Sequence, residues 1–170
     1  MRRAPRSSGI VRIAVVAVLL ALSAGGMFAV ARYRSQQQKL AQCNQLVDLT
    51  NQGYAKAIAF QGQDATALDA LAGDLATVAQ NLRSLDMTDE TLQQQRQQVA
   101  QAYRELSEAY RQMGTALKLA ETSPASEVGL DRVQQARAEV KAAGSAAHQA
   151  ARYVDELAVE IDRYCGVALK

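Results

Sequence analysis

The stretch "ATALDALAGDLATVAQNLRSL", residues 65–85, decides how this chain folds. Its apolar residues Leu68, Leu71, Leu75, Val78, Leu82 and Leu85 recur three and four positions apart, the spacing that lines up one face of an α-helix. That stripe is the seam of a packed helix. Just before it, Gly62 and Asp64 mark a turn, and the Asp64 carboxylate is placed to accept the free N–H groups of the helix start.

Reading outward, three more helices are expected. One covers residues 33–60, with Leu40, Cys43, Val47, Thr50, Tyr54 and Ile58 on its stripe. After the seam, "SLDMTDETL" (84–92) ends one helix and opens the next: Thr88 is the expected cap, and Asp89 and Glu90 bring negative charge to the N-terminal dipole. The third helix, 89–121, carries Leu92, Val99, Ala102, Leu106, Ala109, Met113, Ala116 and Ala120. "ETSPASEVG" (121–129) breaks the chain at Ser123-Pro124, with Ser126 as the next cap. The fourth helix, 127–164, has two heptad stripes, Val133, Val140, Ala147, Val154 and Ile161 beside Ala136, Ala143, Ala150, Leu157 and Tyr164.

Short links make consecutive helices antiparallel, so the expected domain is all-α, an up-down-up-down four-helix bundle. At ~1.5 Å per residue the third and fourth helices come to roughly 50 Å and the second to roughly 30 Å, so the last two are expected to project as a hairpin. Composition agrees with the all-α class. Ala and Gln, both good helix formers, abound, Trp is absent, and Pro5 and Pro124 are the sole prolines. "QQQRQQ" (93–98) falls inside a periodic apolar pattern and reads as a solvated helix face.

The N-terminal end has a different character. Residues 13–31, from Ile13 to Ala31, contain no charge, no Asn or Gln and no Pro, and as a helix they would cover about 28 Å, close to a bilayer core of ~30 Å. Arg2, Arg3, Arg6 and Arg12 precede the run and Arg32 and Arg34 follow it. Ala29-Val30-Ala31 also offers an A-x-A cleavage site, so two fates are weighed. The run exceeds an ordinary signal-peptide core, and Met27 and Phe28 are bulky ahead of the cut. The preferred reading is therefore an uncleaved signal-anchor; the alternative is secretion after cleavage near Ala31. This divides the chain into a basic tail (1–12), a transmembrane helix (13–31) and a bundle (32–170). Four arginines on the leading flank tip the positive-inside rule towards a cytoplasmic N-terminus, with the bundle on the extracytoplasmic side as a single-pass membrane protein. Ala17, Ala21, Gly25 and Ala29 recur every four residues, which leaves homodimerisation through the span as an alternative.

Six of the 19 basic residues lie in the first 34 positions, which hold no acid; the remaining 13 face 17 acids and leave the bundle near −4. Nucleic-acid binding needs a basic patch and is excluded on this ground. Cys43 and Cys165 fall at the start of the first bundle helix and the end of the fourth, which share one end of an alternating bundle. A disulfide is expected, and with it an oxidising compartment.

No enzymatic motif is present: His148, the one histidine, has Ser145 rather than a carboxylate three residues before it, and no haem, phosphate-loop or nucleophile-elbow pattern occurs. The chain is read as non-catalytic, with no cofactor and no metal. Arg96 and Arg137 fall beside apolar stripes, and Tyr103 and Tyr110, with Tyr54 and Tyr153, are placed to line an interhelical pocket. These are the candidate ligand or partner contacts. In outline the layout is similar to membrane-tethered sensory four-helix domains, a likeness of topology without a shared motif. The expected function is a membrane-tethered protein-binding or scaffold module. The alternative is a small-molecule sensor working with a separate transmembrane partner.

Overall fold

The structure, a computed structural model, describes residues 8–62 and 64–168, and side chains within 33–166. Among the described residues there are four helices and no strand: α1 (Ser8–Ala59), α2 (Ala65–Ser84), α3 (Glu90–Glu121) and α4 (Glu127–Ala168). The chain divides into two compact units at residues 39 and 40. In the first, Gln37 Nε2 donates to Tyr33 Oη one turn away, at 2.7 Å. Among the described residues no helix is long and apolar enough to cross a membrane. The span expected over 13–31, its small-residue stripe and the basic tail 1–12 lie outside the residues whose side chains are described.

The second unit is the bundle, and its helices begin where their caps say. Asp64 accepts the Ala67 N–H at 2.7 Å, satisfying a donor that the helix start would otherwise leave free. At α3 the cap is Asp89, which accepts from Leu92 N at 3.1 Å. This corrects the assignment to Thr88, whose hydroxyl instead receives the Gln42 side-chain amide from α1 at 3.0 Å. Ser126 Oγ accepts from Gly129 N at 3.2 Å and opens α4. Gly129 has no room for a side chain, because a Cβ there would lie 1.7 Å from the Pro124 carbonyl oxygen.

Cross-helix contacts give the directions. Between α2 and α3, Asp69 meets Lys118, Ala72 O accepts from Ser107 Oγ, and Arg83 O accepts from Arg96. One number falls as the other rises, so the pair is antiparallel. Tyr164 near the end of α4 donates to Asp89 at the start of α3, so these two are antiparallel as well. Thr50 and Phe60 lie beside Tyr103 and Tyr110, which sets the bundle part of α1 parallel to α3. The result is the alternating path expected from the short links.

The core holds Leu46, Leu75, Leu82, Leu92, Val99, Val154, Leu157 and Ile161, all buried. Truncating any of these leucines to Ala would cost ~2–5 kcal/mol. The α2 seam is inside as read, with Leu85 half-buried at its end. On α1 the stripe is turned relative to expectation: Cys43, Leu46, Thr50 and Gly53 face inward, while Tyr54 and Ile58 are exposed. The reason is Tyr103, whose ring fills the space beside Gly53.

Helix α3 extends beyond α2 at both ends. Gly114, where a Cβ would lie 3.1 Å from Ala65 O, stands level with the start of α2, and α3 runs on to Glu121, about two turns further. The rest of its extra length lies at the opposite end. There the extended link after Leu85 runs back along the first turns of α3, held by Gln93 Nε2 to Met87 O and by Arg96 to Leu85 O. What stands clear of the other helices is the beginning of α4, where every residue from 127 to 135 except Gly129 is exposed.

Candidate partner-binding surface

The two cysteines meet. Cys43 and Cys165 form a disulfide with Cα atoms 5.7 Å apart, inside the ordinary range for a bridge, and both residues are buried in the core cluster. Around them lies a polar knot at one end of the bundle. Gln42 is tied to the α2–α3 link, and Tyr164 Oη reaches both carboxylate oxygens of Asp89 at 2.9 Å. The carboxylate that caps α3 thus also anchors the last turns of α4.

The four candidate contact residues stand at separate places. Arg96 Nη1 donates to Leu85 O at 2.5 Å and Arg83 O at 3.3 Å, satisfying carbonyls that the end of α2 leaves open. Tyr103, 1% exposed, donates its hydroxyl to Thr50 O at 2.6 Å. Burial, and after it the negative charge of Asp155, push this phenol well above the ordinary tyrosine range. Tyr110 is half-buried, its ring 6.1 Å from that of Phe60. Arg137 and His148 are exposed on α4, and Tyr54 is exposed on α1. Among the described residues no group of three or more His, Cys, Asp or Glu side chains is placed to hold a metal.

Two surface features remain. The first is apolar exposure at the free start of α4, where Val128 and Leu130 are 61% and 59% exposed and Val133 is exposed beside them. Val133 heads a heptad stripe of the fourth helix but is exposed because no helix faces it there, and Val128 and Leu130 lie off both stripes. The second is an open groove between α3 and α4 of about 500 Å³, lined by Glu105, Glu108 and Gln112 on one side and Ala146, Gln149 and Tyr153 on the other. A second hollow of about 340 Å³ continues from Gln112 past Ala142 and Ala143 to Glu139. Of the tyrosines singled out from the sequence, Tyr153 is the one that lines this groove. The small Ala side chains on α4 leave the space between the two helices unfilled. Compared with known proteins, the chain matches no family model, no curated protein and no solved structure.

Proposed function

We propose that this chain is a membrane-tethered, extracytoplasmic helical bundle that binds another protein and does no chemistry of its own. The observation that carries the binding reading is the start of α4, where Val128, Leu130 and Val133 face solvent on turns that no other helix covers. Apolar side chains held out on a free helical extension gain free energy when a partner removes them from water, at about 25 cal/mol per Å². Tethering is supported by the uncharged run 13–31, and an oxidising compartment by the Cys43–Cys165 bridge. The alternative of secretion after cleavage near Ala31 keeps the same binding role. The sensor alternative draws less support, since Arg96, Arg137, Tyr103 and Tyr110 do not converge on one cavity.

The test is site-specific photo-crosslinking in the native membrane, with the crosslinker placed at Leu130, at Ala146 in the groove, and at Glu160 on α4 as a control. A discrete heterologous product from Leu130 or Ala146, and none from Glu160, is the expected result. No product from either position would refute the binding role, and a product with itself alone would replace the partner by a second copy. Retention in the pellet after alkaline carbonate extraction checks the tether. A mature N-terminus at Arg32 would show cleavage instead.

A further inference from the structure

We propose, building on the protein-binding reading above, that the groove between α3 and α4 receives a cationic amphipathic helix from the partner. The two hollows share Gln112 and so form one trough. Along α4 it runs from Glu139 to Tyr153, about 21 Å at ~1.5 Å per residue, or roughly four turns of a docked helix. Its floor is methyl groups, those of Ala109, Ala142, Ala143, Ala146 and Ala150. A floor so shallow lets a third helix settle into the seam between two others, as ridges settle into grooves.

The rim selects the charge of the occupant. Glu105 and Glu108 stand on the α3 side and Glu139 on the α4 side, and no Lys or Arg lines either hollow. Each carboxylate accepts from a glutamine amide four residues along its own helix: Gln101 to Glu105 at 2.6 Å, Gln112 to Glu108 at 3.4 Å, and Gln135 to Glu139 at 2.8 Å. A neutral amide orients a carboxylate without cancelling its charge. Arg111, from outside the lining, offsets part of the Glu108 charge through a pair at 3.1 Å. The trough therefore presents two acidic edges around an apolar floor, inside a unit (residues 40–170) in which 12 Lys and Arg face 17 Asp and Glu. Its complement is a helix with a narrow Ala or Leu stripe flanked on both sides by Lys or Arg, reading charge against charge at the rims. A second copy offering the same trough about a two-fold axis would set glutamates against glutamates.

The experiment uses the full-length oxidised chain in mild detergent. Two 18-residue helical peptides share an Ala/Leu stripe, one flanked by Arg and one by Glu, and binding is followed by fluorescence anisotropy. The Arg-flanked peptide is expected to bind and the Glu-flanked one not. Combining Glu105→Gln, Glu108→Gln and Glu139→Gln is expected to weaken binding about tenfold, since each exposed charge pair contributes modestly and the three act together. Ala146→Phe, at an exposed position, fills the trough without touching the core and is expected to abolish binding. Glu160→Gln, away from the trough, should leave it unchanged. Equal binding of both peptides, or full affinity in the triple variant or in Ala146→Phe, overturns the proposal. Crosslinking from Leu130 alongside any of those outcomes places the partner elsewhere and leaves the binding role standing.

Discussion

Two glycine-to-alanine substitutions should move stability in opposite directions. Gly53 lies in the α1 stripe, and a Cβ there would stand 2.4 Å from Cζ of Tyr103 and 2.7 Å from its hydroxyl oxygen. The ring has no room to retreat, because Tyr103 is buried and its hydroxyl is fixed on Thr50 O. Overpacking costs ~1–3 kcal/mol, and a displaced, unsatisfied hydroxyl a further ~1–3 kcal/mol. Against this, Ala gains ~0.8–1 kcal/mol over Gly in a helix interior. Gly53→Ala should therefore destabilise the bundle by ~1–5 kcal/mol. Gly73 on α2 is exposed, with nothing within 4 Å of its would-be Cβ, so Gly73→Ala should deliver the helix gain alone. Urea unfolding of the oxidised chain, followed by far-UV circular dichroism, should show the two midpoints on either side of wild type with unchanged slopes. Adding Tyr103→Leu to Gly53→Ala should recover part of the loss, and the size of that recovery measures the coupling between the positions. A Gly53→Ala midpoint at or above wild type would refute the account of why α1 is turned.

Three further outcomes can be checked on the same protein. The folded state holds the Tyr103 proton more tightly than the unfolded chain does, so its contribution is fully present below about pH 10. Above that, stability should fall by up to ~1.4 kcal/mol per pH unit; Tyr103→Phe should flatten this slope relative to wild type between pH 9 and 11. Cys165→Ser opens a loop with a sequence separation of 122 and should cost ~4–5 kcal/mol on the chain-entropy account, read as a lower urea midpoint; no change in midpoint would remove the bridge as a source of stability. Arg96→Met keeps the stem and loses the donors to Leu85 O and Arg83 O, so thermal unfolding should show a loss of ~1–3 kcal/mol while peptide binding in the distant trough stays the same.

Much of the fold was legible because its strongest signals are local. The α2 seam and Asp64 bracket a helix within one residue of its observed limits, and Pro124 with Ser126 does the same for the start of α4. The misread elements depend on what sits across the core. Gly53 contributes nothing to a hydrophobic stripe, so periodicity passed over it for Tyr54, and only the opposing Tyr103 ring shows why the smallest residue faces inward. Gln95 lies within a glutamine-rich run that reads as a wet face, yet it is buried, because α3 packs against helices on several sides. The function of Arg96 was hidden for a similar reason: its acceptors belong to another helix's end. The trough was not legible, because its acidic rims come from glutamates on two different helices whose relative register no single-helix pattern contains.

The Cys43–Cys165 bridge also decides how the bundle meets mechanical load. A pull on the chain ahead of Cys43, opposed by one after Cys165, travels through the sulfur–sulfur bond rather than through the helices between them. The enclosed residues are shunted out of the force path and keep their shape while the tension lasts. Reduction removes the shunt, and the same pull can then draw out a contour of roughly 3.3–3.6 Å for each of the residues released. The bundle is in this way rigid where oxidants prevail and extensible where they do not.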